Sequence, residues 1–208
     1  MRCIFCKVDS SSSRSVEHII PESLGNIDHV LPPGIVCDKC NNYISREVEK
    51  PFLDSRYIQE RRFNFGIPSK KKRIPPMEGF HLQTSTLIHL LKVDGEEGIS
   101  VCAGPNTDES RWVNSLLSSK AGTLILPIGE KPSDKVVSRF IGKVGLEVLA
   151  HRALDDPEIL DEIVNKTELD QLRDYVRMVT VSRNTRSVNG HREMLFFERN
   201  RRLNRIIE

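Results

Sequence analysis

An α+β chain in two parts is the fold class that this sequence predicts: a small cysteine-framed unit, then a larger mixed α/β domain. Three observations carry that expectation. Two C-x-x-C pairs, Cys3 with Cys6 and Cys37 with Cys40, frame a short β-prone run in a segment otherwise dense in turn residues. A stretch with three prolines and the charge run "KKKR", residues 67–79, reads as a linker. Beyond it, glycine-bounded apolar runs are interleaved with runs at helical spacing. The expected division is residues 1–66, a linker at 67–79, and a domain at 80–208.

Each element has its own signal. "KVDSSSSRS" is a polar turn, "VEHII" a strand, and "PESLGN" breaks that strand. "VLPPGIV" is a Pro-Gly loop leading to the second cysteine pair. After Cys40 a helix is expected, with Tyr43, Ile44, Val48, Phe52 and Leu53 on one apolar face and Pro51 kinking or dividing it. From Thr84 onwards "TSTLIHLLKV" reads as a helix, and "ISVCAG" and "TLILPI" read as short strands. Cys102, in the first of these, reads as a small buried hydrophobe. "SDKVVSRFIGKVGLEVLAHRAL" is the clearest helix, capped by Ser133 or Asp134, with Val137, Ile141, Val144 and Val148 as its stripe. "DPEILDEIV" and "ELDQLRDYVRMV" are two further helices, and "EMLFFERN" a late strand.

The 208 residues are 38% hydrophobic and 29% charged, an ordinary globular balance that excludes a disordered chain. No apolar run approaches the roughly 18 to 20 residues of a membrane span, so no membrane partner is expected. "MRCIFCK" holds no signal-peptide core ahead of its cysteines, which makes a cytoplasmic location the expectation. The formal charge of +2 excludes a strongly basic protein. Contacts with nucleic acid would rest on local patches, "KKKR" at 70–73 and "ERNRRLNR" at 198–205. "KKKR" also suits a solvated linker.

In a reducing compartment four paired cysteines point to a metal rather than to disulfides. A two-residue gap lets both sulfurs of a pair face one ion, and four thiolates close a tetrahedral zinc site. Such a site is structural, because no position stays open for a substrate or an activated water. Cys3, Cys6, Cys37 and Cys40 are therefore the expected zinc ligands, and any chemistry falls to other residues. Glu17 and His18, inside the β-prone run, are out of place in a core unless paired, liganded or facing a cleft. Ideal strand geometry sends adjacent side chains to opposite faces, so a bulge or strand end is needed to bring both to one site.

The ordered set "CIFC … VEHIIPESLGN … VCDKCNN", residues 3–42, resembles the zinc-stapled form of the HNH endonuclease family. The helical runs "NNYISREVEKPFL" and "SRFIGKVGLEVLA" also resemble members of this group. The resemblance implies a ββα-metal, treble-clef-like unit and a metal-dependent hydrolysis of DNA phosphodiester bonds, with RNA not distinguished. It implies that His18 is the general base and that Glu17 and Asn41 hold one divalent cation. Asn41 stands where the last histidine of the family motif stands, and its oxygen favours Mg2+ or Mn2+ over softer metals. The central asparagine is not assigned: Asn26 is either that residue or a simple turn residue. Asn42 either caps the helix or shares the metal site. His29 reads as an exposed loop histidine, with contact to a phosphate as the alternative; His81, His89, His151 and His191 give no ligand spacing, and Glu47 and Glu49 read as a solvated helix face, with a supporting role at the metal as the alternative. The C-terminal domain is expected to serve recognition, homodimerisation or regulation by a partner. The rival from another class is a non-catalytic zinc module that binds nucleic acid or protein. Such a module would need none of Glu17, His18 and Asn41.

Overall fold

Short polar turns and prolines leave the first third of the chain little room for long strands, and the computed structural model bears this out. It describes residues 1–69, 72–92, 98–118, 122–127 and 129–177. The expected strand in "VEHII" shrinks to β1, Glu17–His18, paired antiparallel with β2, Val30–Leu31. Ile19 still donates its N–H to the His29 carbonyl at 3.1 Å. Pro21 then ends the ladder, and a 3-10 turn, Glu22–Leu24, is closed by Gly25 at φ 90°.

The helix after the second cysteine pair starts earlier than expected. α1 spans Asp38–Ile44, and Cys37 is its N-cap, its Sγ accepting from the Cys40 N–H at 3.4 Å. The cap removes Asn42 from the capping role. A π turn, Ser45–Glu49, separates α1 from α2, Lys50–Leu53, whose first turn holds Pro51. Proline has no N–H to give the carbonyl four residues back, which is that of Glu47. Arg139 fills the gap, donating Nη1–H to the Glu47 oxygen at 2.9 Å. α3, Arg56–Asn64, follows.

The central segment is a four-stranded antiparallel sheet in the order β5-β4-β3-β6: β3 Met77–His81, β4 Thr86–Leu91, β5 Ser100–Ala103 and β6 Leu124–Ile125. Here the helix expected from Thr84 is corrected to a strand. Thr86, Ile88 and Leu90 are buried while Leu87 and Leu91 are exposed, the period-2 alternation of a half-covered strand. Met77, Glu78 and Gly79, placed in the linker by composition, belong to β3. Cys102 is half-buried in β5. α4, Glu109–Ser118, was not anticipated; it buries Trp112.

α5, Asp134–Arg152, α6, Pro157–Asn165, and α7, Asp170–Arg177, match the expected helices. Asp156 caps α6 by accepting from the N–H groups of Glu158 and Ile159, both at 3.1 Å. The predicted stripe of α5 is the edge of its buried face, with Val144 and Val148 half-buried against the core. Ile141 is 62% exposed, whereas Phe140, Lys143, Leu146, Glu147 and Ala150 are buried. α7 crosses α5 at Gly142, where a Cβ would lie 3.0 Å from Leu172 and Val176 side-chain atoms.

One core joins the two ends of the described chain. Cys3, Ile4, Phe5, Val36, Ile44 and Val48 cluster with Phe140, Leu146, Ala150, Val164 and Val176. Phe52 stacks on Phe140 with ring centroids 4.1 Å apart. Arg173, 2% exposed, reinforces the join by donating to the carbonyls of Ile4 (2.7 Å), Lys166 (2.8 Å) and Ile163 (2.5 Å) and to Asp170 (2.6 Å). Removing it strands several buried acceptors at once. Arg173→Met is therefore expected to cost about 3 kcal/mol of unfolding free energy, read from the denaturant midpoint. An unchanged midpoint would show that the guanidinium is dispensable.

The run "EMLFFERN", the basic run at 198–205, His191, Lys70 and Lys71 lie outside the described residues. Among the described residues no helix is long and apolar enough to cross a membrane.

Candidate metal centre and catalytic cleft

The four cysteines meet as their spacing predicts. Their sulfurs all lie within 4.8 Å of one another, and Cys6 Sγ is 3.6 Å from Cys37 Sγ. Among the described residues this is the one group of three or more His, Cys, Asp or Glu placed to hold a metal. Local backbone shapes each pair. Lys7, just past the first pair, takes φ 59° and returns its N–H to the Cys3 carbonyl at 2.9 Å. Cys37 donates its N–H to Cys3 Sγ at 3.3 Å. Such bonds favour thiolate over thiol.

None of the five cysteines is joined in a disulfide. Cys3, Cys6 and Cys40 shift one another's ionisation in opposite directions. The bond from Cys40 draws Cys3 down to about 5, while burial holds Cys6 up at about 11. Cys40 is pushed upward, first by its bond to Cys3 and then by burial. A divalent ion removes this conflict, and four sulfurs with no other donor suit structural zinc.

A cleft of about 680 Å³ opens beside the β1–β2 hairpin and α1. Glu17, His18, Asn41, Asn42, Arg46 and Glu49 are among its lining residues. The acid and the histidine thus reach one cleft although the strand keeps its alternation. Glu17 is 5% exposed, on the inner side, and His18 is half-buried. His18 Nδ1 is sealed from solvent and has no hydrogen-bond partner. Asn41 donates Nδ2–H to the Val16 carbonyl at 3.4 Å, and Asn42 is exposed.

Asn26 does something else. Its amide donates to the carbonyls of Ile20 (2.7 Å) and His29 (2.9 Å), and its oxygen accepts from the His29 N–H (3.0 Å). It braces the loop between β1 and β2 and does not line the cleft. Since this loop carries the chain away from His18, Asn26→Ala is expected to cost about 1–2 kcal/mol. The melting temperature should fall by several degrees with zinc content unchanged, as thermal melts and metal analysis would show. His29 is exposed, its ring centroid 5.9 Å from that of His151.

The residue the sequence hid is Lys143. It is 0% exposed, and its Nζ lies 2.8 Å from carboxylate oxygens of Glu17, Glu49 and Glu147. It also donates to the carbonyls of His18 (2.7 Å) and Ile19 (3.1 Å). Burial alone would lower its affinity for the proton, but the three glutamates, Glu147 foremost, outweigh this and hold the ammonium charged. Burial pushes Glu147 well above the ordinary carboxylate range, against the pull of Lys143. Glu49, expected on a solvated face, is corrected: its side chain is 13% exposed and belongs to this cluster. A Lys-Glu pair four apart on a helix usually lies on its wet face, so nothing local marks Lys143 and Glu147 as buried.

Residues 3–56 match the family model of the HNH endonucleases, from the first cysteine to the start of α3. That match points to nuclease activity in general and to nucleic acid as the substrate. No curated protein and no solved structure matches the chain.

Proposed function

We propose that the chain is a metal-dependent HNH endonuclease that hydrolyses DNA phosphodiester bonds in the cytoplasm, built on a zinc-stapled ββα-metal unit. The observation that carries the reading is the convergence of Glu17, His18 and Asn41 on one cleft, inside the matched segment. With Nδ1 sealed, Nε2 is left as the nitrogen through which His18 would act in the cleft. In the neutral imidazole Nε2 takes the proton of the attacking water while Nδ1 keeps its own. The hydroxide then adds to phosphorus, and the 3′ oxygen leaves.

The oxygen donors of Glu17 and Asn41 are a hard set, which fits Mg2+ or Mn2+. These two residues would hold the ion. When bound, it supplies positive charge to the phosphate and to the departing 3′ oxygen. The four cysteines hold the second, structural metal and take no part in the reaction. The β3–β6 sheet is left for recognition, dimerisation or control.

Supercoiled plasmid and purified zinc-loaded protein test this directly. Nicking should need added Mn2+ or Mg2+ and stop with EDTA at levels that leave the cysteine-bound zinc in place. Retention of DNA without any cleavage would instead favour the non-catalytic zinc module.

A further inference from the structure

We propose that Lys143 is a positioning residue of the cleft, holding the Glu17 carboxylate and the backbone of His18 and Ile19 in the geometry that cleavage requires. The inference rests on the nuclease reading above. Its starting point is a weakness of the hairpin. β1 and β2 are two residues each, and a pairing this short does not fix its own backbone. Yet this strand must present an acid and a base to within a few tenths of an ångström.

Lys143 supplies what the ladder lacks, from 125 residues away in the chain. Its ammonium donates to the His18 and Ile19 carbonyls and to Glu49, and it lies 2.8 Å from carboxylate oxygens of Glu17 and Glu147 as well. The hairpin itself contributes the pairing of Glu17 with Leu31 and of His18 with Val30, and the bond from the Ile19 N–H to His29. An apolar residue in place of the lysine would fill the same volume but make none of its bonds. Glu49 ties the same ammonium to the turn after α1, the helix that carries Asn41. One cation thus links β1 to the turn that follows α1, both of which line the cleft. Glu147, the next turn of α5, is outside the cleft lining and steadies the ammonium from behind.

Lys143→Met alone leaves buried carboxylates without a cation and is expected to fold poorly. The decisive variant is Lys143→Met with Glu147→Leu, because it removes the cation together with the most deeply buried carboxylate, and the two carboxylates that remain, Glu17 and Glu49, line the cleft. It should retain zinc and a folded state that melts several degrees below the unchanged protein, since Glu17 and Glu49 lose their cation. Amide exchange at Ile19 should quicken about tenfold, since its strand has lost two anchors. Plasmid nicking at saturating Mn2+ should fall about 100-fold with little change in KM, and Lys143→Arg should keep part of the rate. The proposal is overturned if the double variant nicks at the unchanged rate, if extra Mn2+ restores the loss, or if the double variant does not fold. Failure of the unchanged protein to nick at all would sink the nuclease reading instead, so the two failures are distinct.

Discussion

His18→Ala is expected to lower the rate of plasmid nicking about 1,000-fold, within the 10²–10⁴ range of a positioned general base. Zinc content, melting temperature and DNA affinity should stay near those of the unchanged protein. The reason is local: His18 is half-buried at the cleft, and no other side chain depends on its ring for a hydrogen bond among the described residues. The loss should therefore appear in kcat rather than in KM. A small base such as imidazole in the buffer should recover part of the rate, because alanine opens the space the ring occupied. If the variant nicks as fast as the unchanged protein, the assignment of His18 as base is wrong, even though the fold and the metal remain.

Cys37→Ser is expected to do more than weaken one ligand. A structural zinc ion contributes about 10–16 kcal/mol, as much as or more than the 5–15 kcal/mol by which a domain is ordinarily stable. Cys37 is also the N-cap of α1, so the substitution unsettles the helix that carries Asn41. The damage should not stop at residue 56. Cys3, Ile4 and Phe5 pack in the same cluster as Leu146, Val164 and Val176, and Arg173 bonds the Ile4 carbonyl. Loss of zinc should therefore loosen α5, α6 and α7 together with the hairpin. Circular dichroism should show helix loss well beyond that of α1, and metal analysis should show less than one zinc per chain. A variant that keeps its zinc and its helix content would show that the four sulfurs do not staple the fold.

These two results draw on features of very different legibility. The cysteine centre could be read from spacing, because a C-x-x-C pair is a local unit and two such pairs close one site wherever they meet. The pairing of Glu17 with His18 was legible for the same reason. Asn26 was not: whether an asparagine merely turns or braces a loop depends on the two carbonyls it reaches, and Ile20 and His29 declare themselves only in three dimensions. Pro51 announced a broken helix, but its repair by Arg139 joins residues 92 apart. The strand at Thr86–Leu91 was misread because a short apolar run fits either period until a neighbouring strand, here β3, selects one.

By itself, then, the sequence determined an α+β chain with a four-cysteine centre, an acid-histidine pair between its knuckles, and three C-terminal helices. Only the tertiary structure decided which face of α5 would be buried. Helical spacing nominates the apolar stripe through Ile141, of which Val144 and Val148 reach the edge of the core, while Lys143 and Glu147 lie fully buried. The physical reason is that a charged group can be buried where partners compensate its lost hydration. Those partners, Glu17, Glu49 and the His18 and Ile19 carbonyls, come from elements about a hundred residues away. No local pattern can carry that information.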